Sequence, residues 1–163
     1  MKLDPKLDLS FERVVDVSTS LVWRAWTEPE HLMPWFTPAP WKTVECEIDL
    51  RPGGLFRTVM QSPEGENFPN IGCYLEIVPE RRLVWTDTLE ADFRPSRLEP
   101  GTHCPFKFTA ILEFEPQGDR TRYRASVLHK DESSRKQHEE LGFHEGWGTA
   151  LDQLIAHMRT VGR

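Results

Sequence analysis

The feature that most constrains the fold is one long amphipathic helix predicted near the C-terminus, over residues 131 to about 160. At about 100° per residue, its apolar side chains fall on a single arc. The arc contains Phe143, Trp147, Ala150, Leu151, Leu154, Ile155, Met158 and Val161. Since no second long helix is predicted, this stripe can be buried only against a sheet. The sequence therefore predicts an α+β fold in which a curved antiparallel sheet wraps around the long helix.

The sheet is predicted from runs of β-forming residues that end at proline and glycine turns. About seven strands are expected, at residues 7–17, 42–50, 55–61, 71–78, 83–88, 106–115 and 122–129. Two short helices follow the first strand, one after the capping residues Ser18 to Ser20 and one beginning at Pro29. Residues 90–105 are expected to form a long irregular loop. At this length, we expect one domain over residues 1–163.

The composition excludes several classes of protein. A net charge of −6 argues against a nucleic-acid partner, because proteins that bind nucleic acid usually carry a basic excess. No apolar run approaches the roughly 20 residues of a membrane-spanning helix, and the N-terminus lacks the apolar stretch of a signal peptide. Cys46, Cys73 and Cys104 are widely spaced, which favours reduced thiols in the cytoplasm over disulfides.

The histidines near the C-terminus do not have the spacing of a metal site. A zinc-binding pair on one helix face would place the second histidine at position 142, which is Gly142, whereas His144 lies two residues further from His138. Glycine-rich nucleotide-binding motifs are also lacking. We therefore expect neither a metal nor a cofactor.

Large aromatic residues point to a ligand cavity. The chain contains six tryptophans and nine phenylalanines, and such rings line apolar cavities as well as filling cores. A strongly curved sheet that grips one helix often leaves a cavity between the two. The candidate ligand-binding residues are Trp35, Phe36, Trp41, Phe56, Tyr74, Trp85, Phe108, His144, Trp147 and Leu151. Trp35, Phe36 and Trp41 belong to a proline-stiffened loop that we expect at the cavity mouth.

His144 is the candidate polar group of this cavity. On the helical wheel it lies inside the apolar arc, while His138 points toward solvent. Two interpretations stay open. His144 is either a core histidine bonded to a sheet carbonyl, or a polar group that orients a ligand or acts as an acid or base. If the protein is catalytic, His144 is the candidate catalytic residue.

Two strand faces carry a carboxylate beside an aromatic residue. Trp85 shares a face with Asp87, and Tyr74 shares a face with Glu76. Whichever face lines the cavity would bury its carboxylate and raise the pKa of that group.

Small residues recur at intervals of four on the predicted long helix, at Gly142, Gly146 and Ala150. Each glycine inside a helix costs about 1 kcal/mol against alanine, so these positions need a reason. A close approach of the sheet or of a ligand would supply it, and a kink near Gly142 is the alternative.

Four stretches resemble the bacterial branch of the heat-shock-protein-90 ATPase activator homologue family, within the START-like (SRPBCC, birch-pollen-allergen-like) superfamily. They are residues 22–30 with Trp35 and Phe36, residues 49–54, residues 72–86, and residues 144–147 followed by Leu151 and Leu154. The resemblance implies the helix-grip fold with an enclosed apolar cavity. Members of the superfamily include lipid and hormone carriers, polyketide cyclases and co-chaperones.

Three hypotheses of function follow. The first is binding of a small, largely apolar molecule, either lipid-like or aromatic and polyketide-like. The second is a cyclase- or hydrolase-type enzyme that uses His144 with a pocket carboxylate. The third, implied by the resemblance, is a chaperone-associated interaction module. A chaperone partner is not favoured, because the first strand is predicted so close to the N-terminus that no chaperone-binding domain is expected before it. The sequence leaves a homodimer open.

Overall fold

A seven-stranded antiparallel sheet forms the larger layer of the computed structural model, which describes residues 1–101 and 104–162. Its strands are β1 (Asp8–Val15), β2 (Lys42–Ile48), β3 (Leu55–Gln61), β4 (Asn67–Val78), β5 (Arg82–Thr86), β8 (Phe108–Gln117) and β9 (Arg120–His129). The strand order is β1-β9-β8-β5-β4-β3-β2. The N-terminal strand therefore pairs with the last strand, and β5 pairs with β8 across the intervening loop. This architecture confirms the predicted α+β helix-grip fold.

The loop between β5 and β8 is less irregular than predicted. It contains two-residue strands, β6 (Leu89–Glu90) and β7 (Arg94–Pro95), which pair around a 3-10 turn at Ala91–Phe93. The prediction covered residues 90–105, of which residues 102 and 103 lie outside the described residues.

Two short helices follow β1, as predicted. Helix α1 (Thr19–Thr27) begins after Ser18, whose hydroxyl accepts a hydrogen bond from the Leu21 backbone N–H at 3.4 Å. Helix α2 (Pro29–Leu32) has proline at its first position, where a missing N–H costs nothing.

The C-terminal segment is two helices rather than one. Helix α3 (Glu132–Glu140) is capped by Asp131, and helix α4 (Phe143–Val161) begins after Gly142. Gly142 has a φ of +94°, which places it in the left-handed region that only glycine adopts without strain. The chain therefore changes direction at this residue. A helical wheel drawn through the whole segment assigns the wrong faces to residues on one side of the break.

The core lies between the concave face of the sheet and helices α1 and α4. Leu151, Leu154 and Met158 of α4 are fully or almost fully buried, and Trp147 packs against the same core while partly exposed. Trp26 of α1 donates a hydrogen bond from Nε1 to the buried Tyr123 hydroxyl at 3.2 Å. The predicted apolar arc thus packs on the sheet. Within the described residues, no helix is both long enough and apolar enough to span a membrane.

Candidate functional site

A cavity of about 330 Å³ lies between the sheet, the loop after α2 and the junction of α3 with α4. Its aromatic lining comprises Trp26, Trp35, Phe36, Phe56, Trp85, Phe106, Phe108, Tyr123, Phe143 and Trp147. The polar lining groups are Thr58, Asn70, Asp87, Cys104, His138 and the Tyr123 hydroxyl. Neither lysine nor arginine is found among the described lining residues. The site is therefore a mainly apolar cavity whose lining includes a few polar groups.

The sheet contributes side chains that share one face. Phe56, Thr58 and Met60 occupy alternate positions of β3 and so project to the same side. Phe56 meets the ring of Trp85 on β5 edge-on, with 5.1 Å between the ring centroids. Trp85 in turn packs against Phe108 on β8 at 5.6 Å. Three strands thus provide a continuous aromatic floor.

The loop after α2 is held firmly at the cavity. Trp35 is buried, donates a hydrogen bond from Nε1 to the Ala25 carbonyl at 3.2 Å, and meets Trp26 edge-on at 4.9 Å. The amide nitrogen of Gln153 on α4 donates to the carbonyls of Trp35 and Thr37, each at 3.0 Å. Its oxygen accepts from the backbone N–H of Ala39 at 2.9 Å. One side chain of α4 therefore fixes three points of the loop.

The small residues of the C-terminal segment line the cavity. Gly142, Gly146 and Ala150 all contribute to its wall. A Cβ added at Gly146 would meet no atom within 4 Å. The missing side chain at Gly146 leaves open space at the cavity wall, so the close approach of the sheet that the sequence suggested is not found there. The alternative, a kink near Gly142, is present.

Seven of the ten predicted ligand-binding residues line the cavity: Trp35, Phe36, Phe56, Trp85, Phe108, Trp147 and Leu151. Trp41 does not, because its ring packs against Phe68 at 5.7 Å, away from the cavity. Tyr74 is fully buried and stacks on Phe56 at 5.2 Å, so the Phe56 ring takes the lining position instead.

The expected position of His144 is also corrected. It is exposed and lies outside the cavity lining, with its ring against that of Phe143 at 4.9 Å. His144 sits at the margin of the apolar arc, and Phe143 and Trp147 occupy the core side of the first turn of α4. His138, which was expected to face solvent, lines the cavity because α3 has its own orientation before the break at Gly142.

Two histidines form a hydrogen-bonded pair that sequence reasoning missed. The Nδ1 atom of His129, at the end of β9, lies 2.8 Å from the Leu7 carbonyl oxygen. Its Nε2 atom lies 2.9 Å from Nδ1 of His138 on α3. The rings of Phe106 and Phe108 pack on His138 at 4.5 and 5.1 Å. No motif signals this pair, since it depends on how α3 folds back onto β9.

Both histidines are held neutral. Burial lowers the pKa of His138 from 6.5 to about 3, and the adjacent His129 ring adds to the effect. Burial is also the largest cause that lowers the pKa of His129. A carbonyl oxygen only accepts, so His129 carries its proton on Nδ1 and presents a lone pair at Nε2. His138 must then donate from Nδ1, which leaves its Nε2 atom as a hydrogen-bond acceptor.

Asp87 is the carboxylate of the cavity. Its Oδ1 atom accepts a hydrogen bond from the Phe108 backbone N–H at 2.9 Å. Burial raises the pKa of Asp87 from 3.8 to about 6, although that hydrogen bond and the charge of Lys107 oppose the rise. The Trp85–Asp87 face is thus the one that lines the cavity, with the pKa direction expected for a buried carboxylate.

The alternative face, that of Tyr74 and Glu76, is interrupted. The register of β4 against β5 shifts between these two residues. A bulge at this place puts the two side chains on different sides of the strand, and Tyr74 is accordingly buried while Glu76 is exposed. The assumption of strict alternation is therefore wrong for this pair.

Two further polar groups, the Cys104 thiol and the Trp85 indole, differ in whether they have a hydrogen-bond partner. The Cys104 thiol donates to the Phe106 carbonyl oxygen at 3.3 Å, and burial followed by the charge of Asp87 raises the pKa of this thiol to about 11. The indole nitrogen of Trp85 is buried and has no hydrogen-bond partner among the described residues. An unpaired buried donor is costly, and Trp85 is one of the residues that line the cavity.

One cluster outside the cavity has the residue types of a metal site. Ligand atoms of Glu28, Glu30 and His31 lie within 4.8 Å of one another. However, Arg24 pairs with Glu28 at 2.7 Å and reaches Nε2 of His31 at 3.3 Å. The other ring nitrogen of His31 contacts His157 at 3.2 Å. The guanidinium of Arg24 thus already occupies the ligand atoms of Glu28 and His31, which explains the arrangement of these two residues.

Comparison with known proteins agrees with the fold. The sequence profile of the family described as "Activator of Hsp90 ATPase homolog 1-like protein" matches residues 16–159. The chain belongs to this family. The match begins directly after β1, ends within the last turn of α4, and includes every residue that lines the cavity. No curated protein matches the chain at a significant level.

Several solved structures are similar to this chain. A crystal structure of a protein from Nitrosomonas europaea is 46% identical, covers 98% of this chain and 99% of its own, and superposes with a TM-score of 0.91. A solution structure from Arthrobacter aurescens is 23% identical, covers 98% and 90% of the two chains, and has a TM-score of 0.80. A crystal structure from Rhodobacter sphaeroides is 20% identical, covers 98% and 97%, and also reaches 0.80. The two more distant structures show a shared fold.

Proposed function

We propose that the protein binds a small, largely apolar molecule in the cavity between the sheet and the C-terminal helices. The observation that carries the proposal is a cavity of about 330 Å³ lined mainly by large aromatic rings. Protein interiors normally pack to the density of organic crystals, so a cavity of this size between such rings needs a functional reason. Membership of a family whose fold often encloses a ligand supports the same function.

The size of the cavity narrows the class of ligand. Ligand pockets span about 300–1,000 Å³, and this cavity lies at the lower end of that range. A compact molecule of one to a few rings suits it better than a long acyl chain. The rings of Phe56, Trp85 and Phe108 favour an aromatic ligand, because aromatic rings pack favourably against one another.

The other functions expected from the sequence have less support. A catalytic His144 would need to reach the cavity, and this residue is exposed outside it. Catalysis by Asp87 or His138 would require a substrate with a matching reactive group, and neither residue is paired with a nucleophile among the described residues. Association with a chaperone has no observation that favours it over ligand binding. The three free cysteines support a reducing, cytoplasmic location as part of the same proposal.

Titration with N-phenyl-1-naphthylamine, a neutral apolar fluorophore, tests the proposal. Wild type should bind the probe with enhanced fluorescence, and Gly146→Leu should weaken binding by about tenfold or more, because the new side chain extends from the cavity wall. The substitution is compatible with a helix and improves its propensity. Thr149→Leu, an exposed position of the same helix, is the matched control and should bind like wild type.

Two results would contradict the proposal. One is a wild-type protein that leaves the fluorescence of the probe unchanged. The other is a Gly146→Leu variant that is folded by circular dichroism and binds as tightly as Thr149→Leu.

A further inference from the structure

We infer that the ligand is a neutral molecule bearing a hydroxyl group, and that the cavity rejects carboxylates, because its lining presents two hydrogen-bond acceptors and, among the described lining residues, no lysine or arginine. The inference rests on the proposed function and specifies its ligand. It depends on three groups around the ring of Phe108, namely His138, Asp87 and Trp85.

His138 supplies the first acceptor. His129 donates to the Leu7 carbonyl and accepts the Nδ1 proton of His138. The Nε2 atom of His138 therefore keeps a lone pair that can accept a hydrogen bond. The aromatic packing of Phe106 and Phe108 on this ring restricts its movement. A ligand that meets His138 must therefore donate a hydrogen bond.

Asp87 supplies the second acceptor. One carboxylate oxygen accepts from the Phe108 backbone N–H, and the other can accept from a ligand. The thiol of Cys104 lies close to this carboxylate but donates to the Phe106 carbonyl instead. A ligand carboxylate here would face another carboxylate, with no lysine or arginine among the described lining residues to pair with it.

Trp85 supplies the complementary donor. Its side chain is only 7% exposed, and its indole N–H has no partner among the described residues. Trp85 and His138 both line the cavity and both pack against Phe108, with ring centroids 5.6 and 5.1 Å from it. A hydroxyl group suits this lining, because its oxygen accepts from an indole and its proton goes to an imidazole or carboxylate acceptor.

Calorimetric titration with three naphthalenes tests the inference at pH 7.5. 2-Naphthol donates and accepts, 2-methoxynaphthalene only accepts, and 2-naphthoate is an anion of similar shape. We expect 2-naphthol to bind about 3- to 10-fold more tightly than the methyl ether, the value of one neutral hydrogen bond. 2-Naphthoate should bind roughly 100-fold or more weakly than 2-naphthol, because like charges would be buried together.

Two variants assign the effects to residues. His138→Phe keeps an aromatic ring but removes one of the two acceptors, so it should reduce the preference for 2-naphthol over its methyl ether. His144→Phe is the same change at an exposed histidine outside the cavity and should retain the preference. Asp87→Asn removes the buried charge and should raise the affinity for 2-naphthoate about tenfold or more, while Asp119→Asn in the exposed β8–β9 turn should not.

The inference is overturned if the three naphthalenes bind equally to wild type, or if 2-naphthoate binds best. It is also overturned if Asp87→Asn leaves the rejection of 2-naphthoate unchanged, and this variant decides the matter even if His138→Phe does not fold. These outcomes are distinct from failure of the proposed function, in which N-phenyl-1-naphthylamine itself does not bind.

Discussion

Replacing Asp87 by asparagine removes the charge of the side chain but keeps an oxygen that can accept the same hydrogen bond. The variant therefore measures the effect of the buried charge on stability. An asparagine oxygen can still accept from the Phe108 backbone N–H, which now meets Oδ1 of the carboxylate at 2.9 Å. The amide has no charge to desolvate. Any change in stability that depends on pH therefore reports the ionisation of Asp87 in the cavity wall.

The direction of the effect follows from the raised pKa. Burial shifts the pKa of Asp87 from 3.8 to about 6, so the folded protein binds the proton more tightly than the unfolded chain does. The corresponding stability is fully present below pH 3.8 and is lost as the pH rises through 6. At 1.36 kcal/mol per pKa unit, the total loss is about 3 kcal/mol. About 2 kcal/mol of it falls between pH 4.5 and 7.5.

Urea unfolding of wild type and Asp87→Asn at pH 4.5, 6.0 and 7.5 measures this loss. The free energy of unfolding of the variant, minus that of wild type, should increase by about 2 kcal/mol from pH 4.5 to 7.5. Asp119→Asn, in an exposed turn, should show a difference that does not vary with pH. A constant difference for Asp87→Asn as well would refute the reasoning, because the carboxylate would then ionise as it does in water.

Three further predictions test the helices and the histidine pair. Gly142→Ala should destabilise the protein by about 1–2 kcal/mol, because φ is +94° at this residue. Gly146→Ala, inside α4, should stabilise it by up to about 1 kcal/mol. If thermal unfolding shows that both substitutions change the stability in the same direction, the assigned helix break is wrong. Leu154→Ala, in the core, should lower the free energy of unfolding measured in urea by about 2–5 kcal/mol. Leu141→Ala, at an exposed position, should leave it almost unchanged. Nitrogen NMR should show His138 neutral and protonated on Nδ1 at pH 5, since burial lowers its pKa to about 3; titration near pH 6.5 would disprove the hydrogen-bonded arrangement.

The sequence was most informative where a pattern is local. Alternation in β3 and the apolar arc of α4 depend only on the repeat of a strand or a helix. For this reason the positions of Phe56 and Leu151 on the cavity wall could be predicted before the structure was known. The presence of Asp87 on the same face as Trp85 follows from the same rule.

The prediction failed where one residue resets a repeat. Gly142 divides the C-terminal helix, so the face predicted for His138 was wrong. The position of His144 was wrong because it lies at the margin of the apolar arc of α4. A register shift in β4 similarly separated Glu76 from Tyr74. The pair of His129 and His138 could not be found at all, because it depends on the direction in which α3 leaves the short turn after β9, and neither residue lies in a motif.

The hydrogen bonds between Gln153 and the loop after α2 have a consequence for the rate at which a bound molecule leaves the cavity. Three hydrogen bonds from one amide join α4 to the carbonyls of Trp35 and Thr37 and to the N–H of Ala39. A molecule that leaves past this loop must displace it, and these three bonds oppose the displacement together with the bond from Trp35 to the Ala25 carbonyl. The lifetime of a complex that exchanges by this route therefore depends in part on a glutamine that is not among the residues that line the cavity.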